Sequence, residues 1–82
     1  MDHGIYHATI DRIIELLTEK NLTVSGLAYL SGVSESTIKS ILNGQSRNPG
    51  IVTLKKLCDG LEISVIDFFE SSLFKNLEQE IK

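Results

Sequence analysis

The side chains of this 82-residue sequence that are equipped to act on a partner are suited to non-covalent chemistry. From Ser36 to Cys58 there is no Asp or Glu, yet Lys39, Arg47, Lys55 and Lys56 fall inside that stretch. Interspersed among them are hydrogen-bonding side chains, Ser36, Ser40, Asn43, Gln45 and Ser46. Ammonium and guanidinium groups neutralise phosphates, and hydroxyls and amides beside them donate and accept hydrogen bonds. All eleven acids lie outside the stretch, and the formal net charge of the chain is −3. Any positive surface is therefore local and weak.

Other chemistry is poorly supplied. His3 and His7 are four apart, a spacing that can share a metal, but no neighbouring Cys or carboxylate cluster completes a site and Gly4 lies between them. No metal and no cofactor is expected. Cys58 is the one cysteine, so no intrachain disulfide forms, as suits a reducing cytoplasm. It falls on an apolar stripe and reads as a small buried hydrophobe. No nucleophile–base arrangement or Gly-rich phosphate loop is present, which argues against an enzyme. No apolar run approaches the ~18 residues of a membrane span. Met1-Asp2-His3-Gly4 lacks the basic-then-apolar order of a signal peptide.

These residues need a scaffold, and the hydrophobic pattern supplies helices. Apolar residues make up 41% of the chain and charged residues 23%, ordinary for one globular domain. A first helix is expected from about Thr9 to Lys20, with Ile10, Ile13, Ile14 and Leu17 as its apolar stripe and Asp11, Arg12, Glu15 and Glu19 on the other side. A second follows Thr23 as N-cap, carries Val24, Leu27, Ala28 and Leu30, and stops at Ser31-Gly32. Ser34 caps a third, about Glu35 to Asn43. Projected at ~100° per residue, Ile38, Ile41 and Leu42 share one side, Ser36, Lys39, Ser40 and Asn43 the other, and Glu35 lies near the edge. After a polar loop, Gln45 to Gly50, a fourth helix spans about Ile51 to Gly60 with Ile51, Leu54, Leu57, Cys58 and then Leu61 inward. Ser64 to Asp67 resembles a capping box and opens a fifth helix carrying Val65, Phe68 and Phe69. The tail from Ser72 is helix-compatible, with Leu73, Leu77 and Ile81 each four apart. The expectation is a single all-α domain over 1–82, its core at about 9–71 and a short C-terminal helical extension at 72–82.

Two short helices joined by a tight turn containing Gly make a helix-turn-helix, and residues 24–43 fit it. Ala28 is small where the helices cross, Gly32 permits the turn, and Val33, Ile38 and Ile41 anchor the second helix on the first. The far side of that second helix is left exposed, of a size to enter a major groove. The segments LAYLSGVSESTIKSILNG, RNP and LKKLCDGLEIS with a following Phe-Phe resemble the Cro/CI-type, or XRE, helix-turn-helix family over roughly residues 9–71. The resemblance implies a five-helix, lambda-repressor-like DNA-binding domain. It implies base contacts from Glu35, Ser36 and Ser40, with Lys39 on the same face, and phosphate contacts from Asn43, Gln45, Ser46 and Arg47. Three positions depart from the family's pattern. Val24 replaces a phosphate-bonding Gln, and the loop after Asn43-Gly44 is less basic than usual. Glu62 stands where the turn after the fourth helix often has Gly.

A protein of this kind is expected to regulate transcription, as a repressor more readily than an activator, by binding double-stranded DNA as a homodimer on a palindromic operator. The expected dimer surface is Phe69, Leu73, Phe74, Leu77 and Ile81, unless these residues cover the domain's own core. The competing reading is a protein-interaction module, an antitoxin-like or anti-repressor partner, favoured by the acidic balance and by Val24. A third is a lone domain separated from a longer regulator.

Overall fold

The computed structural model describes residues 4–81. Five α-helices follow one another: α1 Ile5–Glu19, α2 Val24–Ser31, α3 Glu35–Leu42, α4 Ile51–Gly60 and α5 Val65–Phe69. A 3₁₀ turn, Ser72–Phe74, follows them. There is no strand among the described residues.

Helix α1 starts a turn earlier than its side chains announce. Thr9 resembles a cap but is interior and buried, its hydroxyl donating back to the Ile5 carbonyl at 2.7 Å. Its buried side is Ala8, Thr9, Ile13, Leu16 and Leu17, whereas Ile14 is 48% exposed. Periodicity admits stripes centred on either flank of Ile13. Packing selects the flank where the small Ala8 and Thr9 let neighbours approach. Helices α1 and α4 end alike. The Leu22 and Asn21 N–H groups donate to the Leu17 and Thr18 carbonyls, and the Ile63 and Glu62 N–H groups to the Cys58 and Asp59 carbonyls. These are paired Schellman bonds that satisfy otherwise orphaned carbonyls. They require a left-handed residue, supplied by Asn21 at φ 55° and by Glu62 at φ 59°. Asn tolerates that conformation. Glu adopts it at a steric cost, which is what the absence of the family's usual Gly amounts to physically.

The helix-turn-helix is formed as the residues demand. Thr23 accepts from the Gly26 N–H at 3.0 Å, and Gly32 at φ 74° closes α2. Val33, Ile38 and Ile41 are buried and draw α3 onto the core with Leu27, Leu57 and Phe68. Gly60 matters for a reason its place near a helix end conceals. A Cβ there would lie 2.8 Å from Ser31 Cβ and 2.9 Å from the Ser31 Cα and N. Helix α4 therefore meets the last residue of α2 backbone to backbone.

Besides Ile14, other apolar positions of the expected helices lie on the surface, Leu30 of α2 among them at 53% exposed. Ile51 is 84% exposed, because the apolar stripe of α4 meets the core only from Leu54 onward. Val65 is likewise on the surface. Arg12, expected on the solvent side of α1, is instead a fastener. Its Nε and Nη2 donate to the Phe68 and Asp67 carbonyls at 2.7 and 2.8 Å, and its Nη1 to Glu15 at 2.6 Å. It thus satisfies carbonyls at the C-terminal end of α5, a favourable place for a cation. The helical extension is confined to Ser72–Phe74, since Asn76 at φ 62° breaks the helical path and Lys75–Ile81 is non-helical. Phe74 packs edge-on against Phe69, ring centroids 4.8 Å apart, and beside the buried Phe68. Leu73 and Leu77 turn towards the start of α1, lining a hollow with Gly4, His7, Ala8 and Asp11. Ile81 is exposed.

Two substitutions near one another should move stability in opposite directions. Gly60→Ala overpacks the α2–α4 crossing, typically a cost of ~1–3 kcal/mol, against ~1 kcal/mol returned by alanine's helix preference. Glu62→Gly relieves the left-handed strain and should gain ~0.5–1 kcal/mol. Urea unfolding midpoints read both. A midpoint for Gly60→Ala at or above that of the parent chain would show that the two helices are not held in contact there.

Candidate nucleic-acid interface

The exposed face of α3 is set by the burial of the opposite one. Ile38 and Ile41 are each 1% exposed, which turns Glu35, Ser36 and Lys39 outward and leaves Ser40 half-buried at the rim. The start of the helix is held by Ser34, whose hydroxyl oxygen accepts from the Thr37 N–H at 3.2 Å. The same hydroxyl donates to the Thr37 hydroxyl at 2.8 Å. Glu35 sits in the first turn, where the helix dipole favours a carboxylate, and pairs with Lys39 one turn on at 3.2 Å. Both are well exposed, so the pair is solvent-screened and yields readily to a stronger partner.

The end of α3 is ordered by the loop that follows. The Asn43 N–H donates to the Lys39 carbonyl, and the Ser46 N–H reaches back to the Ser40 carbonyl at 2.9 Å. Gly44 at φ 92° makes that reversal possible. The Asn43 side-chain oxygen accepts from the Gln45 N–H at 3.0 Å, so it is the amide nitrogen that remains to donate outward. Ser40 donates to the Gln45 side-chain oxygen at 3.3 Å. Of the four residues assigned to base edges, Glu35, Ser36 and Lys39 lie side by side, while Ser40 is engaged with the loop. Of the four assigned to phosphates, Asn43, Gln45 and Arg47 are exposed and Ser46 is half-buried. All eight belong to one continuous strip along α3 and its C-terminal loop.

One residue at this strip escaped the reading of the sequence. Tyr6, on the added turn of α1, donates its hydroxyl to the Ile41 carbonyl at 2.5 Å. Its ring carries the Arg47 guanidinium 4.8 Å from the centroid. A signal was present, since Tyr6, Ile10, Ile13 and Leu17 recur at steps of four, three and four. The absence of a capping side chain before it left the helix start unmarked.

The remaining titratable candidates stand apart from the strip. Cys58 is buried, and desolvation, reinforced by Asp59 and opposed by Lys55, raises its thiol pKa above the ordinary value. His3, and with it the His3–His7 pairing, lies outside the described residues. Among the described residues no group of three or more His, Cys, Asp or Glu is placed to hold a metal. No helix among them is long and apolar enough to cross a membrane.

A buried-backed helix set after a Gly turn, with a polar outer face and an ordered loop at its end, defines a helix-turn-helix domain of the DNA-binding type. The description of the Cro/C1-type HTH DNA-binding domain matches residues 12–72, and the chain belongs to that family. It is 42% identical over 53 residues to the HTH-type transcriptional repressor RghR of Bacillus subtilis (strain 168), covering 65% of this chain and 39% of that protein. It is 36% identical over 63 residues to the HTH-type transcriptional regulator SlrR of the same organism, covering 76% and 41%. The chain thus spans about two-fifths of the length of these relatives. Among solved structures, the restriction-modification controller protein C.Esp1396I superposes with a TM-score of 0.74 at 34% identity, covering 85% of this chain and 88% of that one. Prophage Lp1 protein 11 gives a TM-score of 0.78 at 34% identity, covering 94% and 100%. Family and relatives are transcriptional regulators rather than enzymes.

The cap at the start of α3 is separable from its outward face. Ser34→Ala should cost ~1 kcal/mol of stability and Ser34→Asp much less, as read by chemical denaturation. Equal losses in the two variants would mean that the hydroxyl network, not the cap, holds the helix start.

Proposed function

We propose that this chain is a sequence-specific double-stranded-DNA-binding regulator that lays α3 in the major groove and acts as a dimer on a palindromic operator, repressing by occupancy. The observation that carries this reading is the strip itself: Glu35, Ser36 and Lys39 exposed over a fully buried Ile38 and Ile41, continuous with Asn43 and Arg47. On docking, Lys39 exchanges the Glu35 carboxylate for a guanine edge or a phosphate. Glu35 is then released to accept from a cytosine amino group. Asn43, Gln45, Ser46 and Arg47 fix the register on the backbone, a role that carries no sequence information of its own.

One copy offers few cations, so a second is needed for useful affinity. The surface that supports pairing lies beside, rather than on, the tail. Ile51, Val52, Val65 and Ile66 are exposed, the last at 76%. With Leu54, Lys55 and Phe69, the first three of these line a shallow apolar concavity. Contiguous apolar surface of this kind marks an interaction site. Leu73, Phe74 and Leu77 are largely spent on the domain's own packing, so of the tail set Phe69 is the member best placed to take part. The domain measures 37 × 24 × 21 Å, a size at which two copies side by side can address half-sites ~34–36 Å apart. The reading places the protein in the cytoplasm with its DNA. A protein-interaction module is the second reading, favoured by the Glu35–Lys39 pair, which neutralises the single cation of α3.

Selection from random duplexes at two salt concentrations should enrich a palindrome. Lys39→Ala and Arg47→Ala should each weaken binding to it and flatten its salt dependence by about 0.9 in logarithmic slope. No enrichment, with capture of a protein ligand instead, would establish the second reading. Unchanged binding in both variants would remove the proposed docking. Ile66→Asp should shift mass in solution from dimer to monomer while Leu77→Asp does not; the reverse pattern would return the interface to the tail.

A further inference from the structure

Tyr6 packs against the core, and its other contacts point to a further role that is not direct recognition. It lies 35 residues in sequence from the carbonyl it binds, and that carbonyl belongs to the last turn of α3. Three consecutive carbonyls there are accounted for separately: Lys39 by the Asn43 N–H, Ser40 by the Ser46 N–H, and Ile41 by the Tyr6 hydroxyl. The first two bonds are local. The third ties the end of the helix to α1, a different and rigid element. Gly44, the reversal point of the loop, approaches the same hydroxyl, since a Cβ built on it would lie 3.9 Å from the oxygen. The ring of the same residue supports the Arg47 guanidinium at 4.8 Å. One side chain therefore touches the helix end, the turn and the cation that follows it.

We propose that Tyr6 is a positioning residue for DNA docking: its hydroxyl fixes the C-terminal end of α3, and its ring holds Arg47 so that the guanidinium is presented to the same backbone as Asn43. Stacking occupies a face of the guanidinium, whereas its N–H donors lie in the plane of the group, along the edge that bidentate phosphate binding uses. An exposed Arg otherwise surrenders rotamer freedom at the moment of binding, and a pre-stacked one has less to lose. Tyr6 also divides its work between two separable parts. Phenylalanine keeps the ring and loses the hydroxyl, while leucine loses both.

This inference rests on the reading that Arg47 meets a phosphate, and the experiment keeps the two apart. Operator binding is measured across a salt series for the parent chain, Tyr6→Phe, Tyr6→Leu, Arg47→Ala and the Tyr6→Leu/Arg47→Ala double variant, all below their melting temperatures. Arg47→Ala should weaken binding by roughly three- to tenfold and lower the logarithmic salt slope by about 0.9. Tyr6→Leu should approach both effects, and the double variant should lose little more than the worse single one. Tyr6→Phe should keep the parent slope with a smaller loss of affinity. NMR of the free protein supplies a readout indifferent to folding losses, because side-chain protons of Arg47 held over the ring are shifted upfield in the parent and in Tyr6→Phe. A full salt slope in Tyr6→Leu beside a reduced one in Arg47→Ala would overturn the proposal, as would additive losses in the double variant. If Tyr6→Leu does not fold, absence of the upfield shift in the parent overturns it equally. An Arg47→Ala variant that binds like the parent would instead defeat the docking reading on which it stands.

Discussion

The closeness of α4 to the end of α2 is the constraint on which the rest of this domain depends. Without a Cβ at Gly60, two backbones meet where any other residue would hold them apart. The contact falls on Ser31, immediately before the Gly32 turn, so α4 braces the hinge of the helix-turn-helix. A brace at that point fixes the direction in which α3 leaves the turn. Burial of Ile38 and Ile41 then fixes its rotation. Direction and rotation together decide which side chains face outward, and a nucleic-acid reader needs both held to a fraction of the groove's width.

Electrostatics is arranged on this frame rather than spread over it. The chain is acidic overall, so its attraction for a polyanion is confined to the strip where acids are scarce. Even there the cation of α3 is shared with Glu35. In the proposed docking, this arrangement would lower the general, sequence-blind part of binding, which comes from phosphates, and leave a larger share to base edges and to pairing of two copies. On that proposal the apolar face on α4 and α5 would complement the sparingly charged strip on α3, since modest affinity per domain is tolerable when domains act in pairs.

Much of the fold could be read from residue order because its signals are local. Thr23, Ser34 and Ser64 accept from the N–H groups expected of N-caps, and Gly32 takes the left-handed conformation its position suggested. The outward face of α3 followed from a single periodicity. What could not be read depends on partners distant in sequence. The start of α1 lacks a capping side chain. Arg12 looks like any solvated helix cation until the carbonyls of α5 are placed beside it. Ile51 satisfies the stripe of α4, but a stripe does not say where the core stops. The tail's four-residue spacing is real, yet Asn76 adopts a backbone conformation that ends it. Tyr6 combines both difficulties, being on an unmarked turn and contacting a helix that arrives much later in the chain.

The Arg12 fastener has a consequence for the order of assembly. Helix α5 is five residues long, well below the length at which a helix sustains itself in water. Its closing carbonyls are met by a side chain 55 and 56 residues earlier. As the chain is synthesised, α1 through α4 are complete while that guanidinium still has no backbone to grip. The last helix can take shape only by docking, and Phe68 enters the core in the same event. Closure of the N-terminal half on the C-terminal one and creation of the α5 surface are thus one cooperative step, and a half-folded chain has no means of displaying that surface to another.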